Sequence, residues 1–169
     1  MITATFILKI LVILILVIAI AWTVNVAGEY RNHKKIPIPF KESMDLLSVP
    51  IVTFVNNGVK LHFLLDTGGD YSYIDSQVVP TLEIKERNNQ SIKVSTGSGS
   101  VESEGKVVMD IHYKEHSFEE SFVVQDLASH FERAFGPYGV IVHGVLGSAF
   151  FAKHKYEINF EDFTAYSKK

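Results

Sequence analysis

Apolar and polar positions alternate through most of this chain, but not at its start. Residues 6–27 are overwhelmingly apolar, interrupted early by Lys9 and late by Asn25. A run of about 20 such residues crosses a bilayer as a helix. Lys9 stands where its ammonium can snorkel to the headgroups. Trp22 and Tyr30 lie toward the other end, as interfacial aromatics do. The pattern predicts a transmembrane anchor within residues 1–28. The competing reading is a cleaved signal peptide, with Ala19-Ile20-Ala21 as its small-residue site. Against it, the apolar run continues past that site and is long for a signal core. A helix apolar on every side has no place inside so small a globular domain.

Residues 29–44 read as a polar juxtamembrane linker. Ile36-Pro37-Ile38-Pro39 is stiff and extended, a spacer or an edge strand, because each proline fixes φ and restricts the residue before it. From residue 45 to 169 the pattern shortens to strand length, and this stretch is expected to form the folded domain. Residues 51–63 form a hairpin turning at Asn57-Gly58, two residues that tolerate positive φ. Residues 71–75 return as a strand. One helical turn over 75–79 is expected to stop at Pro80, and the charged stretch 83–89 is exposed. Strands follow at 91–95, at 105–113 with Val107, Met109, Ile111 and Tyr113 on one face, and at 118–124. Asp126 is placed to cap a helix over 127–135, with Leu127 and Phe131 on one face and Gly136-Pro137 ending it. The last strands fall at 139–146, 156–160 and 164–166. Many short strands with one or two short helices predict an all-β, barrel-like domain.

Composition narrows the function. A net charge of −3 over 169 residues gives no electrostatic case for nucleic acid. The chain has no cysteine, so disulfides, thiolate nucleophiles and cysteine-based zinc sites are excluded. Arg31, Lys34, Lys35 and Lys41 follow the apolar run, against Lys9 and the terminal amine before it. The positive-inside rule thus leans toward a cytoplasmic domain on a single-pass membrane protein. An uncleaved signal-anchor with the domain on the opposite side remains the other orientation.

Two stretches carry candidate chemistry. Leu64-Leu65-Asp66-Thr67-Gly68-Gly69 ends an apolar strand in a carboxylate and a tight turn. Far downstream, the apolar residues 140–146 end in Leu146-Gly147. A lone Asp-Thr-Gly is a common turn. The pair, in this order and spacing, resembles the retropepsin-like (retroviral-type) aspartic proteases over residues 49–166.

That resemblance implies an acid-protease barrel and an aspartic endopeptidase acting on peptide or protein substrates without a cofactor. It makes Asp66 the catalytic carboxylate. Thr67 becomes the hydroxyl that cross-links two loops at a dimer axis, and Gly68 the residue that lets the backbone reach the carboxylate. Leu146 and Gly147 form the supporting strand end. Thr96, Gly97, Ser98, Gly99 and Ser100 match the flap, whose bland alternative is a flexible hairpin. Asp70 matches an acidic substrate-contacting position, whose bland alternative is a turn acceptor. Hydrolysis by carboxylates needs two of them sharing a proton, yet the chain has one Asp-Thr-Gly. The resemblance implies a homodimer, with one Asp66 from each copy.

Departures and rivals complete the reading. Gly69 stands where the family commonly has Ser or Ala, so a hydroxyl bond to the carboxylate is absent. Gly147-Ser148-Ala149 lacks the arginine of retroviral members, which favours cellular and bacterial relatives. A catalytically silent dimerisation or binding module on the same fold is the alternative function. His112-Tyr113-Lys114-Glu115-His116 matches a metallopeptidase string literally, but that chemistry needs a helix. The sequence places the string on strand, turn and strand, so no metal site is expected. His62 and His143 fall on strands near the two motifs and read as packed or half-exposed.

Overall fold

The computed structural model describes residues 13, 15–22, 36–96 and 99–167. Contacts divide the chain into two units, the second being Ile36–Lys168. In the first, Ile13 and residues 15–22 are helical. Ile13, Ile15, Leu16, Val17, Ile18, Ile20 and Trp22 are all exposed there. The rest of the expected span lies outside the described residues. Among the described residues no helix is long and apolar enough to cross a membrane.

The second unit begins with strand β1 (Ile38–Pro39) and helix α1 (Lys41–Leu47). Residues that the sequence assigns to the end of the linker thus enter the compact unit. Ile38 and Phe40 are buried, and the Phe40 amide donates to the Phe163 carbonyl at 2.9 Å. The Ser43 hydroxyl accepts from the Ile51 amide at 2.9 Å. Strands β2 (Ile51–Asn56) and β3 (Val59–Leu65) follow as the expected hairpin. Asn57 and Gly58 both have positive φ, 45° and 81°, the geometry a two-residue turn between twisted strands requires.

The remaining strands are β4 (Ser72–Asp75), β5 (Glu86–Asn88), β6 (Lys93–Thr96), β7 (Gly99–Glu102), β8 (Lys106–Tyr113), β9 (His116–Gln125), β10 (Gly144–Leu146), β11 (Tyr156–Asn159) and β12 (Thr164–Ser167). The main sheet has the order β2-β3-β10-β4-β9-β8-β5. It closes on itself where β8 meets β2, at Val55 opposite His112. Strand β10 runs parallel to β3, and β4 parallel to β9; the other neighbours are antiparallel. A smaller sheet, β1-β12-β11, and the hairpin β6-β7 stand apart from it. The described residues of this unit thus form an all-β barrel with few short helices, as the strand pattern predicts.

Inward-facing residues of the closed sheet form the core. Phe54, Phe63, Phe118, Phe122, Phe150 and Leu146 are buried there with Val107, Met109 and Ile111. Phe54 meets Phe118 edge-on at 5.7 Å, and Phe63 stacks on Phe122 at 5.4 Å. Such ring pairs add to the burial they bring. Asn56 is buried too, and its amide is fully used. It donates to the carbonyls of Glu83 and Asp110 and accepts from the Glu83 amide, which pins the segment leading into β5.

Four local expectations need correction. Pro80 does not stop a helix; it sits in the first turn of a 3₁₀ helix, Val79–Thr81, where its missing N–H is not needed. Helix α2 covers Ala128–Phe135 without a side-chain cap from Asp126. The buried Asp75 carboxylate takes that role in part, accepting from the Leu127 amide at 3.4 Å. Gly136 keeps helical angles and α2 continues into the 3₁₀ turn Gly136–Tyr138, which closes at Gly139 with φ 69°. Of residues 139–146, only Gly144–Leu146 form strand.

Candidate active site

Asp66 is delivered by β3 and anchored before its side chain begins. Its amide donates to the Leu146 carbonyl at 3.0 Å, continuing the parallel ladder in which Leu146 faces Leu65. Strand β10 is itself held between β3 and β4, so the loop after Leu65 rests on a central strand. The Gly68 amide donates to Asp66 Oδ1 at 2.9 Å. This bond orients the carboxylate, while Asp66, Thr67 and Gly68 stay exposed. A carboxylate fixed by the backbone yet open to solvent can take or give a proton to a bound molecule.

Gly147 lets the chain cross beneath this loop. A Cβ there would stand 2.3 Å from the Tyr71 carbonyl oxygen and 2.9 Å from that of Gly69. The close approach is used at once. The Ser148 amide donates to the Gly69 carbonyl at 2.7 Å, and the Ala149 amide to that of Asp70 at 3.2 Å. Both donors open helix α3 (Ser148–His154), whose first amides have no partner within the helix. Asp66, Gly68, Leu146 and Gly147 are thereby brought together.

Gly69 leaves the other carboxylate oxygen uncovered. A Cβ at this position would meet Asp66 Oδ2 at 3.3 Å, the contact a Ser or Ala side chain makes from there. Asp70 is exposed, its backbone held by Ala149. The Tyr73 hydroxyl is pushed up from its ordinary value, first by burial and then by Tyr71, Asp70 and Asp66. The residues proposed as a flap lie on β6 and β7, where Thr96 pairs with Gly99 and Ser95 with Ser100. Gly97 and Ser98 lie outside the described residues. The hairpin base is fastened by buried Ser103, whose hydroxyl accepts from the Ile92 amide at 3.1 Å.

The histidines sort clearly. His112 pairs across the hairpin with Ser117, and Tyr113 with His116. Paired residues point to one face and successive ones alternate, so His112 and His116 lie on opposite faces and cannot meet one metal ion. His62 and His143 do meet, with ring centroids 5.3 Å apart. The His62 amide donates to His143 Nδ1 at 3.1 Å, and Thr53 Oγ1 lies 2.8 Å from His62 Nδ1. Burial lowers both imidazoles below their ordinary value, helped by Lys60 at His62 and by His62 at His143.

Sequence reasoning missed one polar cluster behind the loop. Ser72, Glu120 and His154 are buried together. The signal was present: Glu120 falls between Phe118 and Phe122 in strict alternation, which turns its carboxylate toward the apolar face.

Residues 52–150 match a family model described as aspartyl protease. No curated protein matches the chain. Among solved structures, the retroviral protease-like domain of Ddi1 from Leishmania major is 14% identical, with a TM-score of 0.45, covering 67% of this chain and 82% of that one. EIAV protease complexed with the inhibitor HBY-793 is 21% identical, with a TM-score of 0.43, covering 62% of this chain and 86% of that one.

Proposed function

The chain belongs to the aspartyl protease family, and from that premise we propose that it is a membrane-anchored endopeptidase whose carboxylate dyad combines Asp66 of two copies. The observation that carries this reading is the exposed Asp66 carboxylate, held by the Gly68 amide on a loop that β10 supports. Each chain has one Asp-Thr-Gly, and a two-fold axis through its loop brings two carboxylates together. Like charges at that distance cannot both ionise, so one proton is held between them. The ionised carboxylate draws a proton from water as it attacks the peptide carbonyl. The protonated one gives its proton to the carbonyl oxygen, and the pair then protonates the leaving nitrogen.

In that dimer the Thr67 hydroxyl reaches the opposite loop. The β6–β7 hairpin, which carries Thr96, Gly99 and Ser100, closes over substrate, and Asp70 meets a substrate backbone or side chain. The exposed apolar side chains of residues 15–22 support the anchor. Confinement in a bilayer raises the effective concentration of partner chains without any new contact. The region has no Gly-x-x-x-Gly pattern, so confinement, not helix packing, carries the effect.

The test is digestion of a peptide library by the full chain in detergent, beside Asp66→Asn. Cleavage by the wild type alone supports the assignment. No cleavage by either, from a folded dimer, favours a silent binding module.

A further inference from the structure

We propose that Glu120 is a positioning residue for the Asp66 loop, acting through the Ser72 hydroxyl on the Gly147 amide. Glu120 lies on β9 and is 4% exposed, Ser72 on β4 is 1% exposed and His154 at the end of α3 is 3% exposed. A carboxylate in such a place is costly unless its oxygens are paired. The Ser72 hydroxyl donates to Glu120 Oε1 at 3.0 Å. On the other side, Lys153 Nζ stands 3.6 Å and His154 Nε2 3.4 Å from Oε2. The histidine contact is off the line of a good hydrogen bond, and Nδ1 has no hydrogen-bond partner. The His154 ring is wedged instead between Phe118 and Phe150, with centroids 5.3 Å and 4.8 Å away.

The direction of the Ser72 hydroxyl is the central point. A hydroxyl has one proton, and that of Ser72 is given to Glu120 Oε1. Glu120 therefore draws the Ser72 proton to itself and leaves a lone pair of Oγ facing the Gly147 amide, which donates to it at 3.3 Å. Gly147 is the residue whose placement sets the next two bonds, from Ser148 to the Gly69 carbonyl and from Ala149 to that of Asp70. One carboxylate thus reaches both ends of α3: it faces Lys153 near the end, and through Ser72 it joins the Gly147 that precedes the helix. Lys153 ties the same end to β9 again by donating to the Glu119 carbonyl. The Asp66 loop is braced from behind by a side chain that never reaches the substrate.

The consequence for turnover rests on the aspartic-peptidase reading; the bracing of the loop does not. The test compares the full-length wild type with Ser72→Ala, Glu120→Gln and Glu120→Met, by amide hydrogen exchange and by kcat and KM on one cleaved peptide. Ser72→Ala and Glu120→Met are expected to speed exchange of residues 66–70 and 147–149 about tenfold, the loss of roughly one hydrogen bond. Exchange across β8 stays as in the wild type. Both variants lower kcat about tenfold and leave KM within about twofold. Glu120→Gln keeps an acceptor oxygen and returns both readings to within about threefold of wild type. Unchanged loop exchange in Ser72→Ala, or a Gln variant no better than the Met variant, overturns the proposal. If Glu120→Met does not fold, Ser72→Ala decides alone. A wild type that cleaves nothing refutes the peptidase reading, and the exchange rates still decide the brace.

Discussion

Replacing Gly147 by alanine is expected to destabilise the domain and its loop together, by an amount the geometry allows one to work out. The added Cβ stands 2.3 Å from the Tyr71 carbonyl oxygen, 2.6 Å from its carbon and 2.9 Å from the Gly69 carbonyl oxygen. All three are backbone atoms of the segment between Asp66 and β4, so no side chain can turn aside. Relief requires that the end of β10 and that segment part by about 1 Å, an overpacking cost of about 1–3 kcal/mol. The bond from the Gly147 amide to Ser72 Oγ is already 3.3 Å long and does not survive such a shift. The loss of that bond costs about 1 kcal/mol more. The sum is about 3 kcal/mol, which lowers the melting temperature by roughly 10 °C in a domain of this size. The assay is thermal unfolding of the full chain in detergent, with peptidase activity measured on the same sample. Gly139→Ala is the control, since its Cβ meets nothing within 4 Å and only its φ of 69° resists; it should cost about 1 kcal/mol. A Gly147→Ala protein that melts within about 2 °C of wild type and keeps its activity would refute the close-crossing argument.

Other substitutions and conditions separate the parts of the account. Gly69→Ala should be tolerated, because its Cβ meets the end of the Asp66 side chain at 3.3 Å; a melting temperature lowered as far as that of Gly147→Ala would contradict this. Stability should fall as pH is lowered through the histidine range. His62 and His143 are held below their ordinary value of 6.5, so the unfolded chain binds protons that the folded one refuses. The contribution is complete above pH 6.5 and is lost as pH drops through the lowered folded values. His143→Gln, which can still accept from the His62 amide, should flatten that part of a melting-temperature profile against pH; an unchanged slope would count against the pair. Activity per chain should rise with protein concentration in detergent and survive exchange of the N-terminal apolar run for an unrelated transmembrane helix. A concentration-independent monomeric enzyme would defeat both the dimer and the role given to the anchor.

Much of the fold was legible because strand alternation is a local signal. Val107, Met109 and Ile111 of β8 announce their buried face two residues at a time, and Asn57-Gly58 specifies its own turn. What sequence reasoning missed depends on distant partners. The start of α2 draws on Asp75, a residue of another strand, so the nearby Asp126 was a plausible but wrong cap. Pro80 fits the first turn of a helix as well as the end of one, and only the following residues decide. The segment 36–44 reads as tether because its prolines and charges are local, whereas its attachment comes from β12 and Phe163 at the other end of the chain. In the candidate site, motif and order pair the Asp66 loop with Leu146-Gly147, and the structure lays these two segments side by side. Glu120 and Ser72 were not singled out, since a glutamate in a strand is ordinarily solvated and only its register betrays it.

The most direct test of the two-chain dyad mixes wild-type protein with Asp66→Asn in a detergent that allows chains to exchange, on the plateau where specific activity no longer rises with concentration. The variant alone should be folded, dimeric and inactive, because an amide cannot pass the proton. If each active unit needs Asp66 from two copies, an equal amount of variant should reduce the activity of a fixed amount of wild type to about half, and larger amounts further, as mixed dimers replace homodimers. Activity that stays constant as the variant is added, or proteolysis by Asp66→Asn itself, would contradict the claim that two copies of Asp66 perform the chemistry.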